Sequence, residues 1–558
     1  MGRPSSPERP PARPPLPPAE RAWRLALALV VVAAVGLRLW GVTWSLPAGE
    51  RLLTYHPDEG VNLVSGVLQD GRLRPHLDLG FYNYGTLYFY VWQAAAAVNS
   101  AYGLLSWPSP PAAPSTDSAG ALILVGRLIS VLSAALTVLL CGLITRRLQG
   151  RRGGLVAAAV VAVAPLSVIH SRFATVDAFA TLLTTAALWA SVRACRDGRT
   201  WLWLAVAGGL AGLAGAARYN AVLVLAAPLA SALCIQAPWR RRALYALGAA
   251  AACAILFLVA CPGAFLNWPR FSADLLFEMR KSRTGMGLLF AQTGNGWWYH
   301  LVTSLRLALG WPLLAAGLAG WALLARRGVR EAAPVAAFAL VTYALIGAAA
   351  VRFWRYVMPL LPALALGASA LVACCGTGRR FRAPTVGGTL VAVGVAYASW
   401  LSMAYTRLMV TPDPRDQAAV AVRAAGPEAT VAFATTPWYW SPPLAPEFGL
   451  PSSGASRRRA VLASEAGARL RLPAEDAEWD QSALSPPPTV VTVSDLESQD
   501  ALRLRVESAV AFMAALQPRR EQAFEGRAEA LGLRLRKEPT LPNDLLYIWP
   551  RVTLYWSR

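Results

Sequence analysis

From Trp23 to Ala404 the chain alternates long apolar runs with short polar, often arginine-bearing, turns. The runs are Trp23–Trp44, Leu122–Leu143, Gly154–Ile169, Ala178–Val192, Trp201–Ala217, Val222–Ile235, Leu244–Ala260, Leu309–Leu324, Pro334–Ala350, Val357–Val372 and Val386–Ala404. Apolar segments of this kind predict membrane-crossing helices, about eleven of them, the shorter ones extended by flanking residues to the ~20 residues a crossing needs. A further stretch, Phe81 to Trp92, is aromatic rather than uniformly apolar and predicts an interfacial or re-entrant helix with Tyr and Trp at headgroup depth. After residue 410 the pattern changes. A helix-like RDQAAVAVRAAG, strand-like ATVAFAT and PTVVTVS, a polar SDLESQDALRL and a closing alternation LLYIWPRVTLYW predict a small α/β domain over 411–558.

Basic residues give these crossings a direction. Arg3, Arg9, Arg13, Arg21 and Arg24 place the N-terminus in the cytoplasm, and residues 1–22, rich in Pro and Arg, read as a disordered tail there. The clusters at Arg146–Arg152, Arg193–Arg199, Arg240–Arg242, Arg326–Arg327 and Arg379–Arg380 then fall on the same side. The expected organisation is a membrane domain over 23–404, with a structured first outer loop at 47–120, followed by an extracytoplasmic domain at 411–558. A multi-pass protein of the plasma (inner) membrane follows, with the lipid bilayer as its first partner.

Composition supports that class. Of 558 residues, 55% are hydrophobic and 15% charged, and mean hydropathy is +0.40, too little polar surface to cover a soluble globule of this size. The net charge of +22 would suit a nucleic-acid binder, but its arginines are spread as short clusters between apolar runs, so no nucleic-acid partner is expected. Cysteines lie in or beside the apolar runs without CxxC spacing, and neither a Walker A nor a GxGxxG motif occurs.

With that topology the unusual polar residues collect on the outer face. Asp58 and Glu59 follow the first run in Tyr55-His56-Pro57-Asp58-Glu59; Arg172 and Asp177 lie between the third and fourth; Arg218 and Tyr219 end the fifth; Arg352, Arg355 and Tyr356 precede the tenth. His56 and His300 lie on the same side, and Tyr82, Tyr84 and Tyr88 offer rings that could line a sugar site. In isolation a hydrated helix start explains Pro-Asp-Glu better than a catalytic base does, and snorkelling explains a single arginine. Arginine recurring in outer turns, where positive charge is disfavoured, points instead to an anionic ligand such as a lipid phosphate, which a guanidinium meets bidentately.

His56-Pro-Asp-Glu59, Asn83-Tyr-Gly-Thr-Leu-Tyr-Phe-Tyr90, Arg172-Phe-Ala-Thr-Val-Asp177 and Arg355-Tyr-Val-Met-Pro-Leu-Leu-Pro362, in this order, resemble the GT-C membrane glycosyltransferases, in the branch of protein O-mannosyltransferases and aminoarabinose transferases. The likeness spans about Trp23 to Ala404. It implies a polyprenyl-phosphate sugar donor, an outer-face site and Asp58 as catalytic base. Arg218 departs from the family's frequent Lys, and Asn83-Tyr-Gly-Thr stands where a Pro-Pro-Leu-Tyr type is usual. The expected activity is inverting transfer of a sugar to an acceptor hydroxyl or amine of protein, lipid or envelope glycan. Glu59 would orient the acceptor or raise the Asp58 pKa. Arg218, Arg352, Arg355 and Tyr356 would hold the donor phosphate, and His56, Tyr82, Tyr84, Arg172, Asp177, Tyr219 and His300 would contact substrate. A divalent metal is compatible with these residues, but no ligand spacing demands one. A flippase or a non-catalytic glycan-binding protein is the alternative.

Overall fold

The computed structural model describes residues 17–108, 118–373, 383–474, 478–525, 542–548 and 550–557. The N-terminal tail before Pro17, the Arg379–Arg380 turn and Cys374–Cys375 lie outside the described residues. The chain is a polytopic helical membrane protein carrying a small C-terminal sheet. A helical segment lies under every expected run. Seven described helices are long and apolar enough to cross on their own, or eight if Gly296–Leu309 and Trp311–Arg326, bent by 113°, form one span.

Breaks in these helices have identifiable causes. Ala119–Val163 is two helices joined at Gly150, whose φ of 81° is available to glycine at little cost. The two halves fold back on one another, and at Gly154 an added Cβ would lie 2.7 Å from the Gly142 carbonyl oxygen, closer than any side chain permits. Pro165 ends the second half because it has no N–H to give the Val161 carbonyl. The exposed carbonyls are taken over by other helices. Arg38, deep in the first run, donates to Val161 O (3.3 Å) and Ala162 O (2.9 Å), and Ser402 donates to Val163 O (2.7 Å). An arginine in an apolar span is thus spent on backbone that a proline has released.

Two helices enter the bundle through a tightened 3-10 turn: Tyr219–Leu225 precedes Ala226–Cys234, and Trp354–Leu360 precedes Leu361–Ala373. Both turns begin beside an arginine of the site described below. The aromatic stretch differs from expectation. Helix Leu87–Tyr102 turns its rings into the protein: Tyr88 and Trp92 are fully buried and donate to Gly126 O (3.1 Å) and Leu122 O (2.8 Å). Their hydroxyl and indole N–H serve helix packing, so Tyr88 does not line a sugar site.

The C-terminal sheet has five strands, β1 (Val431–Phe433), β2 (Leu470–Arg471), β3 (Val490–Ser494), β4 (Arg520–Glu525) and β5 (Arg551–Trp556), in the order β2-β1-β3-β5-β4. β1 pairs in parallel with β2 and β3, whereas β5 is antiparallel to β3 and β4. β1 and β3 occupy the expected strands, being buried on both faces by helices such as Pro414–Ala424 and Glu507–Leu516. The closing alternation divides, with a helical turn at Asn543–Leu546 and a strand only from Arg551. β4 was not expected because its sequence REQAFE has no apolar face, and its first four residues are exposed. The sheet is fastened to the first loop by Asp416, which accepts from Arg51 (2.6 Å) and the Tyr55 hydroxyl (2.6 Å), and by Arg415, which stacks 3.6 Å from the Tyr55 ring centroid.

Candidate active site

Pro57 opens a five-residue helix, Pro57–Val61, with His56 as its extended N-cap, so both carboxylates lie in the first turn, where the helix dipole favours them. Neighbours on a helix diverge by about 100° around its axis. That divergence separates two residues which look equivalent in sequence.

Glu59 points inward and is fully buried. Arg127 donates Nε to Oε1 (2.8 Å) and Nη2 to Oε2 (2.7 Å), Ala174 N donates to Oε1 (2.7 Å), and Thr54 Oγ1 donates to Oε2 (2.6 Å). Arg127 spends its remaining nitrogen on Val42 O and Trp44 O at 2.6 and 2.7 Å. Every strong acceptor position of Glu59 is therefore occupied by scaffold. The expectation that Glu59 orients an acceptor or tunes Asp58 is corrected: its carboxylate clamps the first loop to the helix bearing Arg127 and to the turn at Ala174.

Asp58 points the other way, its side chain one quarter exposed, and receives Arg355 Nη2 at 2.9 Å. Burial pushes its carboxyl upward, but Arg355, helped by His56, Lys281 and Arg218, outweighs this and holds it below the ordinary carboxylate range. Asp58 is thus an ionised acceptor at neutral pH. Arg355 also lies 4.0 Å from Asp177 Oδ2, and Asp177 is ion-paired with Arg218. The Arg218 guanidinium lies 4.9 Å from the Tyr356 ring centroid. Tyr84 is half-buried beside this group; burial and then Asp58 raise its phenol, opposed by Arg355 and Arg218. The structure thus brings Asp58, Tyr84, Asp177, Arg218, Arg355 and Tyr356 into one cluster.

His56 borders the cluster without joining its ion pairs. Its buried ring packs on Phe173 (4.4 Å between centroids) and against the edge of Tyr547 (5.1 Å), and neither ring nitrogen has a hydrogen-bond partner among the described residues. Burial lowers its pKa to about 4, so the ring is neutral at physiological pH.

The other expected residues are used elsewhere. Arg172 is buried between the first and last membrane helices, donating to Leu37 O (2.6 Å), Arg38 O (3.3 Å) and Thr406 Oγ1 (2.6 Å), and so is not free for a ligand. Tyr82 gives its hydroxyl to Asp78 (2.5 Å) and its backbone to Asp274 and Tyr219, tying two loops together. Tyr219 is accounted for by the same tie. His300 is buried against Ser304 (3.0 Å) within a π-helical turn, and Arg352 donates to Thr293 (2.7 Å) without reaching Asp58. Among the described residues no three His, Cys, Asp or Glu side chains converge as a metal ion requires.

Two residues were not anticipated. Arg127 had a readable signal, because a lone arginine inside an apolar run needs a buried counter-charge. Asp544 had none. It comes from the helical turn before β5, is fully buried, and accepts Trp354 N and Arg355 N at 3.0 Å each. It lies 4.0 Å from Arg355 Nη1 and 3.8 Å from His170 Nε2. Burial raises its carboxyl, partly offset by Arg355 and the two backbone N–H groups.

The sequence matches the family of dolichyl-phosphate-mannose-protein mannosyltransferases over residues 115–264. No curated protein matches it. Among solved structures, the archaeal oligosaccharyltransferase AglB from Archaeoglobus fulgidus, in complex with an inhibitory peptide and a dolichol-phosphate, is similar with a TM-score of 0.52 at 14% identity, over 88% of this chain and 71% of that one. The same enzyme tethered to an acceptor peptide gives 0.53 at 14% identity, over 91% and 73%. ArnT from Cupriavidus metallidurans bound to undecaprenyl phosphate gives 0.46 at 15% identity, over 73% of each chain.

Proposed function

We propose that this chain, a member of the GT-C glycosyltransferase superfamily by its family match and its fold, moves a sugar from a polyprenyl-phosphate carrier to an acceptor hydroxyl or amine at the outer face of its membrane. The observation that carries the reading is the partly exposed Asp58 carboxylate set 2.9 Å from the buried guanidinium of Arg355, with Arg218 on the next carboxylate. Three groups suited to the reaction thereby share one cluster. The dolichol-phosphate in the similarly folded oligosaccharyltransferase supports a lipid phosphate as the ligand class.

In this reading the donor phosphate engages Arg355 and Arg218, which replace water around its charge and stabilise the further charge that develops as it leaves. Arg355 is then shared between the phosphate and Asp58. Drawing it toward the phosphate removes the main interaction that lowers the Asp58 pKa, so donor binding strengthens the base. Asp58 takes the acceptor proton as the acceptor oxygen or nitrogen bonds to the anomeric carbon, and the bond from that carbon to the phosphate oxygen breaks. Polyprenyl phosphate leaves as an anion and needs no proton. The anomeric centre inverts, since attack and departure lie on opposite faces. Asp177 keeps Arg218 oriented, and Tyr84 and Tyr356 border the sugar.

Incubating the purified full-length protein with a polyprenyl-phosphate sugar labelled in the sugar tests this. Release of unlabelled polyprenyl phosphate with label moved to an acceptor is the expected result; donor that is bound but returned unchanged favours a binding protein and contradicts transfer.

A further inference from the structure

Asp544 lies far along the chain from the rest of the site, yet it is one of three carboxylates around Arg355. The Nη2 of that guanidinium is on Asp58, its Nε is 4.0 Å from Asp177, and its Nη1 is 4.0 Å from Asp544. Nη1 is buried and makes no hydrogen bond among the described residues. Asp544 meanwhile uses both oxygens on the backbone N–H groups of Trp354 and Arg355, at the start of the 3-10 turn that precedes Leu361–Ala373. Its contact is therefore with the base of Arg355 as well as with its tip. Arg355 is a long side chain with rotamer freedom to lose, and a fixed backbone plus a second nearby carboxylate confines it.

We propose that Asp544 is a positioning residue for donor binding: the C-terminal sheet region inserts this carboxylate into the membrane domain to fix Arg355 where it can exchange Asp58 for the donor phosphate. The inference rests on the proposed transfer reaction. It makes the C-terminal region a contributor to the site rather than an attached module, since the turn Asn543–Leu546 precedes β5, the strand that lies between β3 and β4 in the sheet. The neighbouring contacts fit that placement: Tyr547, three residues on, gives its carbonyl to Arg415 (2.7 Å) and its ring to His56 and Tyr439. The segment is thus held three residues beyond Asp544.

The test is binding of undecaprenyl phosphate to the full-length protein in nanodiscs, measured for wild type, Asp544→Asn, Arg355→Ala and the double variant. The proposal expects Asp544→Asn to weaken binding roughly tenfold, the scale of losing a charge-assisted hydrogen-bond partner, and to have little further effect once Arg355 is alanine. A residue that only stabilised the fold would lower the fraction of protein able to bind and leave the affinity of the remainder unchanged. Wild-type affinity in Asp544→Asn, or the same loss in both backgrounds, overturns the proposal while leaving transfer intact. Absence of binding by the wild type itself overturns the donor reading and this inference with it.

Discussion

The helix bundle has charged clusters at both ends, and they are built from the same residue types to different effect. At one end Glu20 receives Arg24 (3.0 Å), Arg146 (2.7 Å) and Arg151 (3.5 Å), Asp197 pairs with Arg147 and Arg193, and Glu331 with Arg196. Most of these side chains are between one fifth and three fifths exposed. At the other end the Glu59–Arg127 pair is fully buried, and the guanidinium of Arg355 is 6% exposed. Water competes for the first set, so those pairs contribute little beyond setting the orientation of the chain. The second set has lost its hydration and must be satisfied by protein or by ligand. Where the protein satisfies it completely, as at Glu59, the result is a clamp. Where it leaves a partly exposed carboxylate and an Nη1 without a hydrogen bond among the described residues, as at Asp58 and Arg355, the result is the proposed site.

The contrast is open to direct attack. The largest effect should come from Glu59→Gln or Arg127→Met, each of which strands a buried charge; a loss of about 3–5 kcal/mol is expected, and an unchanged thermal midpoint would show that the clamp is not structural. Glu497 provides a half-buried acid without a guanidinium, its oxygens taken by Thr435 and the Ser494 N–H. Burial raises its pKa from 4.5 to about 7. The unfolded chain then loses this proton at lower pH than the folded one, so the stability contributed by this group is fully present below pH 4.5 and is lost as pH rises through 7. Glu497→Gln should remove that dependence, making the variant more stable than wild type above neutrality by roughly 2–3 kcal/mol in thermal unfolding; parallel pH curves would contradict it. Smaller again is Arg218→Lys, which keeps charge and loses the fork. It should raise the KM for lipid-linked donor roughly tenfold, and an unaltered KM would take Arg218 away from the phosphate. The least effect is expected at the opposite end, where Arg147→Ala should cost less than about 1 kcal/mol and vanish in high salt.

Hydropathy and the sides on which arginines fall were enough to read the helical segments, because each is written locally in consecutive residues. β1 and β3 were legible for the same reason, as short apolar strands between turns. β4 was not, since an exposed edge strand needs no apolar face. At the site, Asp58, Arg218 and Arg355 were legible as charges that an apolar neighbourhood makes costly. The division of labour between Asp58 and Glu59 was invisible, because it depends on the angle between successive helical positions and on Arg127 lying opposite only one of them. Arg172 was misread because a buried guanidinium that satisfies carbonyls at a helix crossing has the same sequence signature as one awaiting a phosphate. Asp544 could not be found at all, since nothing local marks a carboxylate whose partners are backbone N–H groups of another domain.

The most direct test sets the two adjacent acids against each other in one transfer assay, with labelled polyprenyl-phosphate sugar and full-length protein. Asp58→Asn should fold and bind donor like the wild type while transferring at least about a hundredfold more slowly, the scale of losing a general base. Transfer at the wild-type rate by Asp58→Asn would contradict the account at its centre.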